Sequence, residues 1–429
     1  MAGCRQGAVP RLFGCSWEPH NKSGFVHTHV GFVQRWRLGG ASQSSDATPL
    51  LVSKIVGSSR SGSVTHRNFV VMAAAAAAES NQDNLPAVSN VVTVRHADLL
   101  NKSSDLAAVL EEGFGPSGLG IIAISGVPKF SELRKKLLKL SQSLSALPEE
   151  AKLQLEDPIS KYSFGWSYGK EILDSGQPDS LKGSFYANPL YDVPTLDAKL
   201  IQRYPAHCRP NLWPTKHLPE LEPTFKMLGA LMVEVGLLIA NHCDKYISSK
   251  NPSFKEGILE RMLSSSYTHK GRLLHYFPNI SSTSCEGQDQ LKSWCGWHTD
   301  HSSLTALTCA MYIKGGVEIP CPDPEAGLYV RKQSGAIVKA LYNVDSIAYQ
   351  MGEATEILSD GLFHATPHFV KAALGSIGSE VERNTFAIFM QPHWDEPLKF
   401  STNSEVGDHK SQKTLTFGEF SERTISKYY

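Results

Sequence analysis

A surplus of charge is missing from this chain: its 429 residues hold 42 Lys plus Arg against 42 Asp plus Glu. Nucleic-acid binders and proteins of anionic membranes carry a basic excess, so neither partner is expected and a small-molecule substrate is. Cysteine is scarce and unpatterned. The eight, at 4, 15, 208, 243, 285, 295, 309 and 321, form no CxxC pair and lack the density of a secreted disulfide framework, so free thiols in a reducing compartment are expected. Long apolar runs are absent as well. The longest in the body, Met227 to Ala240, is interrupted by Glu234 and too short to cross a bilayer, and reads as a buried helix. No internal repeat is visible, and no motif bears on oligomeric state.

Acidic residues are also nearly absent from the first 71 positions, where Glu18 and Asp46 stand against eight Lys or Arg and ten Ser. An Arg- and Ser-rich, acid-poor leader has the composition of an organellar transit peptide, so chloroplast or other plastid targeting is the expectation. Met72, followed by six alanines and an acidic, polar stretch, offers an alternative start and a cytoplasmic protein. The expected organisation is an extension over 1–85, an N-terminal α/β region over 86–250 and a β domain over 251–429.

Within the body, Val91-Val-Thr-Val suggests an opening strand and residues 103–112 a helix. Gly118-Leu-Gly-Ile-Ile-Ala-Ile-Ser-Gly-Val-Pro reads as a buried strand ended by Gly126 and Pro128. Leucines at 133, 137, 140, 144 and 147 give the apolar stripe of a helix whose solvated face holds Lys135, Lys136 and Lys139, and Pro148 begins another. Residues 155–215 show no period and read as loop and short strand. A long helix follows through Phe225, Leu228, Met232, Val235 and Leu238, bounded by Pro219 and Pro223. After Arg272 short strand-like runs alternate with Gly, Pro and Asp turns, the signature of an antiparallel sandwich or barrel.

The chemistry concentrates in Trp297-His298-Thr299-Asp300-His301. On an extended chain residues two apart share a face, so His298 and Asp300 can present an imidazole and a carboxylate to one point. With one distant histidine they would complete the two-His-one-carboxylate set that leaves metal positions open for oxygen and substrate. His364 and His368, four residues apart, both compete for that place. Further on, Arg383-Asn-Thr385 puts a guanidinium and a hydroxyl on one strand face, a fork suited to the distal carboxylate of a keto-diacid.

These motifs, in this order, resemble the plant-type 2-oxoglutarate and iron(II)-dependent dioxygenases, the isopenicillin N synthase-like superfamily, from about Val91 to about Pro392. Besides the strand at Gly118 and His298-Thr-Asp300, the likeness rests on Asn211-Leu-Trp213-Pro214, His275-Tyr276-Phe277-Pro278, Gly327-Leu-Tyr-Val, the stretch Tyr349 to Gly361, His368 and Arg383-x-Thr385. The resemblance implies a mainly β fold with flanking helices, a double-stranded β-helix (jelly roll) core behind an N-terminal α/β region. It implies iron held by His298, Asp300 and His368, since spacing from Gly361 favours His368 over His364. It also implies 2-oxoglutarate held by Arg383 and Thr385, O2 as oxidant and ascorbate in support. The expected activity is hydroxylation, demethylation or desaturation of a small molecule, with release of succinate and CO2.

Three departures point to a divergent subgroup. Phe277 stands where the family commonly has a cosubstrate-binding tyrosine, with His275 in place of Asn, and Tyr276, one residue off, would face away on a regular strand; Thr385 replaces Ser but keeps the hydroxyl; and the intervals from Asp300 to His368 to Arg383 are long, with loops expected around Cys321 and Leu374 to Ser379. Phe277 and the long insertions motivate one alternative, a catalytically weak metal- or ligand-binding protein; a second, a keto-acid-independent iron oxidase like the penicillin-forming relative, is compatible with Arg383 and Thr385, which occur there too. Outside the motifs, His301 reads as a solvated loop residue and His242, His275 and His393 as surface or structural. Trp294, Trp297 and Trp394 read as packing, and Cys295 and Cys309 as small buried side chains.

Overall fold

The structure, a computed structural model, describes residues 87–172, 176–278, 293–373, 380–399 and 414–427. The expected extension and the loop expected from Leu374 to Ser379 lie outside them. Two strands come first, β1 (Ala87–Asn90) and β2 (Val92–Arg95), followed by α1 (His96–Leu100), α2 (Ala107–Phe114), β3 (Ile121–Ser125), α3 (Phe130–Ser145) and α4 (Glu149–Leu153). β4 (Gly165–Tyr168), β5 (Lys182–Ala187), α5 (Ala198–Arg203) and α6 (Pro205–Cys208) precede α7 (Leu221–Lys250) and α8 (Ile258–Ser264). Strands then dominate: β6 (Lys270–Tyr276), β7 (Ser293–His298), β8 (Leu304–Thr308), β9 (Met311–Lys314), β10 (Val317–Ile319), β11 (Gly327–Arg331), β12 (Ile337–Leu341) and β13 (Ile347–Met351). Helix α9 (Glu353–Leu358) leads to β14 (His368–Lys371), β15 (Val381–Met390), β16 (Pro397–Lys399), β17 (Thr414–Thr416) and α10 (Phe417–Ile425).

One sheet runs β1-β12-β11-β14-β7, and a second runs β2-β3-β13-β8-β15-β6-β5-β4 with β9 and β10 attached through β15. The fold is therefore mainly β with flanking helices, as expected, and the strands after Lys270 pair antiparallel with one another. Of the strands before α7, β4 and β5 keep that pattern, while β1 joins β12 and β2 joins β3 in parallel. Regions 86–250 and 251–429 consequently share both sheets.

Local differences from the sequence reading have local causes. The helix expected from 103 begins at Ala107 because Asn101 and Asp105 carboxamide and carboxylate oxygens accept from the N–H groups of Ser103 and Ala107, holding turns there. Pro223 lies inside the first turn of α7, where no intrahelical N–H is required. The stretch 155–215 contains two short helices besides its strands, one of them capped by the Asp197 side chain.

The second sheet is buried on both faces, and strand alternation sorts its residues. Leu273, Phe386, Ile388 and Tyr349 face outward onto α3 and α7 in one hydrophobic core, where Phe225 of α7 meets Phe386 edge-on at 4.8 Å. The alternate residues of β6 and β15 face inward and line a cavity. Helix α7 is long and apolar enough to cross a membrane by composition, but Leu228, Met232, Val235 and Ile239 are fully buried in this core while Glu234 is exposed.

Helix α8 begins at Gly257, which offers no side-chain cap; Asp244 of α7 supplies one, accepting from the N–H groups of Leu259 and Glu260, both at 2.9 Å. Burial pushes the Asp244 pKa up to about 6, with those two N–H groups opposing. A carboxyl raised on folding binds a proton that the unfolded chain releases, so its contribution to stability grows as pH falls from about 7 toward 4. Denaturant titrations at pH 7.5 and 5 should show this slope diminished in Asp244→Asn; an equal slope in both proteins would contradict it.

Candidate active site

His298 ends β7 and His368 begins β14, and the two are cross-strand partners in the first sheet, with ring centroids 4.2 Å apart. Asp300 lies beyond the end of β7, in the turn toward β8, and not on the strand that the spacing argument assumed. It is nonetheless brought to the same point: its carboxylate oxygens stand 3.7 Å from His298 Nε2 and 4.0 Å from His368 Nε2. One ligand atom from each residue falls within 4.8 Å of the others, the only such group of three or more metal-ligating side chains among the described residues. His298 Nδ1 lies 2.8 Å from Gly296 O and His368 Nδ1 3.1 Å from Thr366 O. A carbonyl only accepts, so each Nδ1 carries a proton and each Nε2 can offer its lone pair, the tautomer a metal requires.

Charge follows the same geometry. Burial disfavours the His298 imidazolium, yet Cys295 and Asp300 beside it raise its pKa to about 9, so a metal would have to displace the Nε2 proton to take that lone pair. His368 is pushed down to about 4 by burial and by the His298 charge, and Asp300, despite burial, is held below the usual carboxylate range by the two imidazoles. The rival His364 is turned elsewhere, its Nδ1 2.9 Å from Glu356 Oε1. His301 is not the solvated loop residue expected. Its Nε2 lies 3.0 Å from Ser421 Oγ of α10, its ring stacks on Phe417, and burial lowers its pKa to about 4, because α10 folds back over the turn.

The turn that carries Asp300 is clamped by the start of α9, with Glu353 N donating to Asp300 O at 2.8 Å and Gly352 N to Ser303 O at 3.0 Å. A Cβ at Gly352 would sit 2.0 Å from Ser302 O, a backbone atom that cannot yield without moving the turn. Gly352→Ala is thus expected to cost about 1–3 kcal/mol and to weaken manganese binding as well. Thermal unfolding and metal titration check both, and an unchanged midpoint with unchanged metal affinity would show the turn to be tolerant.

Behind the triad, the inward face of β6 and β15 carries Tyr276, Arg383 and Thr385 into one cavity with His298, Asp300 and His368. Arg383 pairs with Tyr276 across the strands, its guanidinium 4.8 Å from that ring and 5.6 Å from the ring of Trp294. It is 7% exposed, and its Nε and Nη1 have no hydrogen-bond partner among the described residues. Thr385 Oγ1 donates to Thr308 O at 3.2 Å, so its hydroxyl would have to rotate to donate to a carboxylate beside Arg383. The reading of Tyr276 and Phe277 is reversed: Tyr276 faces the cavity, while Phe277 packs on His275 and Tyr168. Antiparallel pairing of β6 with β15 decides this, because Arg383 and Tyr276 are opposite each other and share a face.

The bland readings mostly hold. His242 bonds Leu99 O, His275 bonds Asn384 and His393 bonds Asp395. Trp294 is buried between Tyr276 and Tyr312, and Trp394 is buried beside Tyr204 and Cys208. Trp297 is 37% exposed and borders the outer chamber, while Cys295 and Cys309 are only partly buried. All five described cysteines are free. Unforeseen were Lys182, Lys270 and Arg272, which line the chamber outside the triad; the period-two run Lys270, Arg272, Leu274, Tyr276 was the signal for two of them.

Solved structures share this arrangement of strands and helices. The chain superposes on a 2OG-Fe(II) oxygenase family protein from Caulobacter crescentus with a TM-score of 0.57 at 18% identity, covering 79% of this chain and 98% of that one. The fold is that of the 2OG-Fe(II) oxygenases. A full-length Neurospora crassa protein in complex with alpha-KG and 5-formyluracil gives a TM-score of 0.56 at 17% identity, over 79% of this chain and 96% of its own. JOX2 in complex with 2OG, Fe and JA gives 0.53 at 17%, over 80% and 86%. No protein-family model matches the sequence. No curated protein matches it either. The jelly-roll expectation therefore holds at the level of the fold.

Proposed function

We propose that this protein is an Fe(II)- and 2-oxoglutarate-dependent oxygenase of a small molecule. The observation that carries the reading is one cavity holding both a His-Asp-His set with inward Nε2 atoms and a buried guanidinium with two orphaned polar atoms. Buried donors left unpaired on a cation are costly, and a dicarboxylate reaching from the triad to Arg383 would satisfy them. His298, Asp300 and His368 would hold the iron, and Arg383, Thr385 and Tyr276 the distal carboxylate. When bound, iron supplies activation of O2, so that the keto acid leaves as succinate and CO2 and the substrate is hydroxylated, demethylated or desaturated. The chain's own part is orientation of the cosubstrate and shelter from water. Alpha-KG or 2OG in the Neurospora crassa and JOX2 structures supports the cosubstrate. The composition of residues 1–71 supports a plastid address.

Purified protein supplied with iron(II), ascorbate, 2-oxoglutarate and O2 is expected to form succinate above a His298→Ala control. Iron binding without any excess succinate would overturn the reading in favour of a binding protein or an oxidase that does not use the keto acid.

A further inference from the structure

The inward face of β6 continues past Tyr276, Leu274 and Arg272 to Lys270, which pairs with Phe389 at the outer end of the barrel. Lys270, Arg272 and Lys182 line a second chamber that shares His298 and Asp300 with the inner cavity. Two of these cations already have carboxylates: Glu171 lies 2.9 Å from Lys182 and 2.5 Å from Arg272, and Asp179 lies 2.6 Å from Lys182. Lys270 has none within ion-pair distance among the described residues. It is 6% exposed and donates two hydrogen bonds to carbonyls, Ser163 O at 2.9 Å and Ala206 O at 3.0 Å, so a third N–H is on offer only when the amine is protonated, the form an anion beside it would favour. The Phe164 ring, its centroid 3.2 Å away, attracts the ammonium without supplying a formal counter-charge.

An ammonium taken out of water without a counter-charge is strongly disfavoured. Burial accordingly drives the Lys270 pKa well down, opposed by Cys208 and Asp157. An anion in the chamber would supply what this wall lacks. Apolar and aromatic side chains, among them Ile172, Tyr186, Trp297, Phe389 and Ile425, share the lining with polar ones, and the Glu171 carboxylate there is already held by Lys182 and Arg272. We infer that the substrate is a small carboxylic acid with an apolar or aromatic body, its carboxylate meeting Lys270 and its body lying toward the triad. This rests on the oxygenase reading, since it takes the outer chamber as the substrate's place and the inner cavity as the cosubstrate's.

The test is binding and not turnover. Full-length protein loaded with manganese(II) and saturated with 2-oxoglutarate, which blocks Arg383, is titrated calorimetrically with matched pairs: phenylacetate and phenylacetamide, indole-3-acetate and its amide, hexanoate and hexanamide. An acid is expected to bind about tenfold or more tightly than its amide in at least one pair, the scale of a charge-assisted hydrogen bond. Lys270→Met should bring the acid down to the amide's affinity and leave the amide unchanged, and Lys270→Arg should keep the preference. Acids and amides behaving alike in every pair would overturn the inference, as would a preference retained in Lys270→Met. If Lys270→Met does not fold, the wild-type pairs decide. Failure of 2-oxoglutarate itself to bind the manganese-loaded protein would sink the oxygenase reading, whereas binding of 2-oxoglutarate without discrimination between acids and amides would sink this inference alone.

Discussion

Arg383→Met should lose 2-oxoglutarate binding while metal binding persists. The guanidinium is buried between Tyr276 and Trp294, and methionine retains much of the packing volume between those rings while removing every donor. Truncating one partner of a buried, hydrogen-bonded charge pair costs about 2–5 kcal/mol, or roughly 30- to 4000-fold in Kd. Calorimetric titration of 2-oxoglutarate into manganese-loaded protein reads this directly. Thr385→Val should cost only about 1 kcal/mol, since one neutral hydroxyl is lost. Tyr276→Phe should weaken binding and Phe277→Tyr should leave it unchanged, because only Tyr276 reaches the cavity. Undiminished affinity in Arg383→Met would place the cosubstrate somewhere other than this cavity.

The second large effect is expected at His368. Removing it takes away one of three ligands, so His368→Ala should lose more metal affinity than the ~10–100-fold typical of an outer-shell partner, and succinate formation with it. His364→Ala is the matched control. Its imidazole bonds Glu356 instead of facing the triad, and its loss should cost about 1 kcal/mol of stability with metal stoichiometry intact. Metal content after dialysis against iron(II) under argon separates the two. The reverse pattern, metal lost in His364→Ala and kept in His368→Ala, would show that the third ligand had been misassigned.

Much of the site is a short-range property of the chain. Two-residue spacing puts Arg383 and Thr385 on one strand face, and the nearness of His298 to Asp300 survives even though Asp300 sits in a turn, because two residues cannot separate far. The apolar period around α7 likewise identifies a core helix wherever it packs. The resemblance of ordered motifs extended this to the jelly roll, which the solved structures share as a fold.

Local chemistry was thus legible in the chain alone: which residues carry it, which of them share a face, and which helices have one apolar side. Long-range pairing accounts for the rest. Pairing of β14 with β7 brings His368, and not His364, onto His298; pairing of β6 with β15 turns Tyr276 to Arg383 and Phe277 away; α10, more than a hundred residues downstream, covers one side of His301; and Lys270 meets carbonyls of two distant segments, Ser163 and Ala206, and no carboxylate. The first two depend on the register between strands distant in the chain, where a shift of one residue exchanges inside for outside, and the last two on the packing of segments far apart in sequence; no local period encodes either.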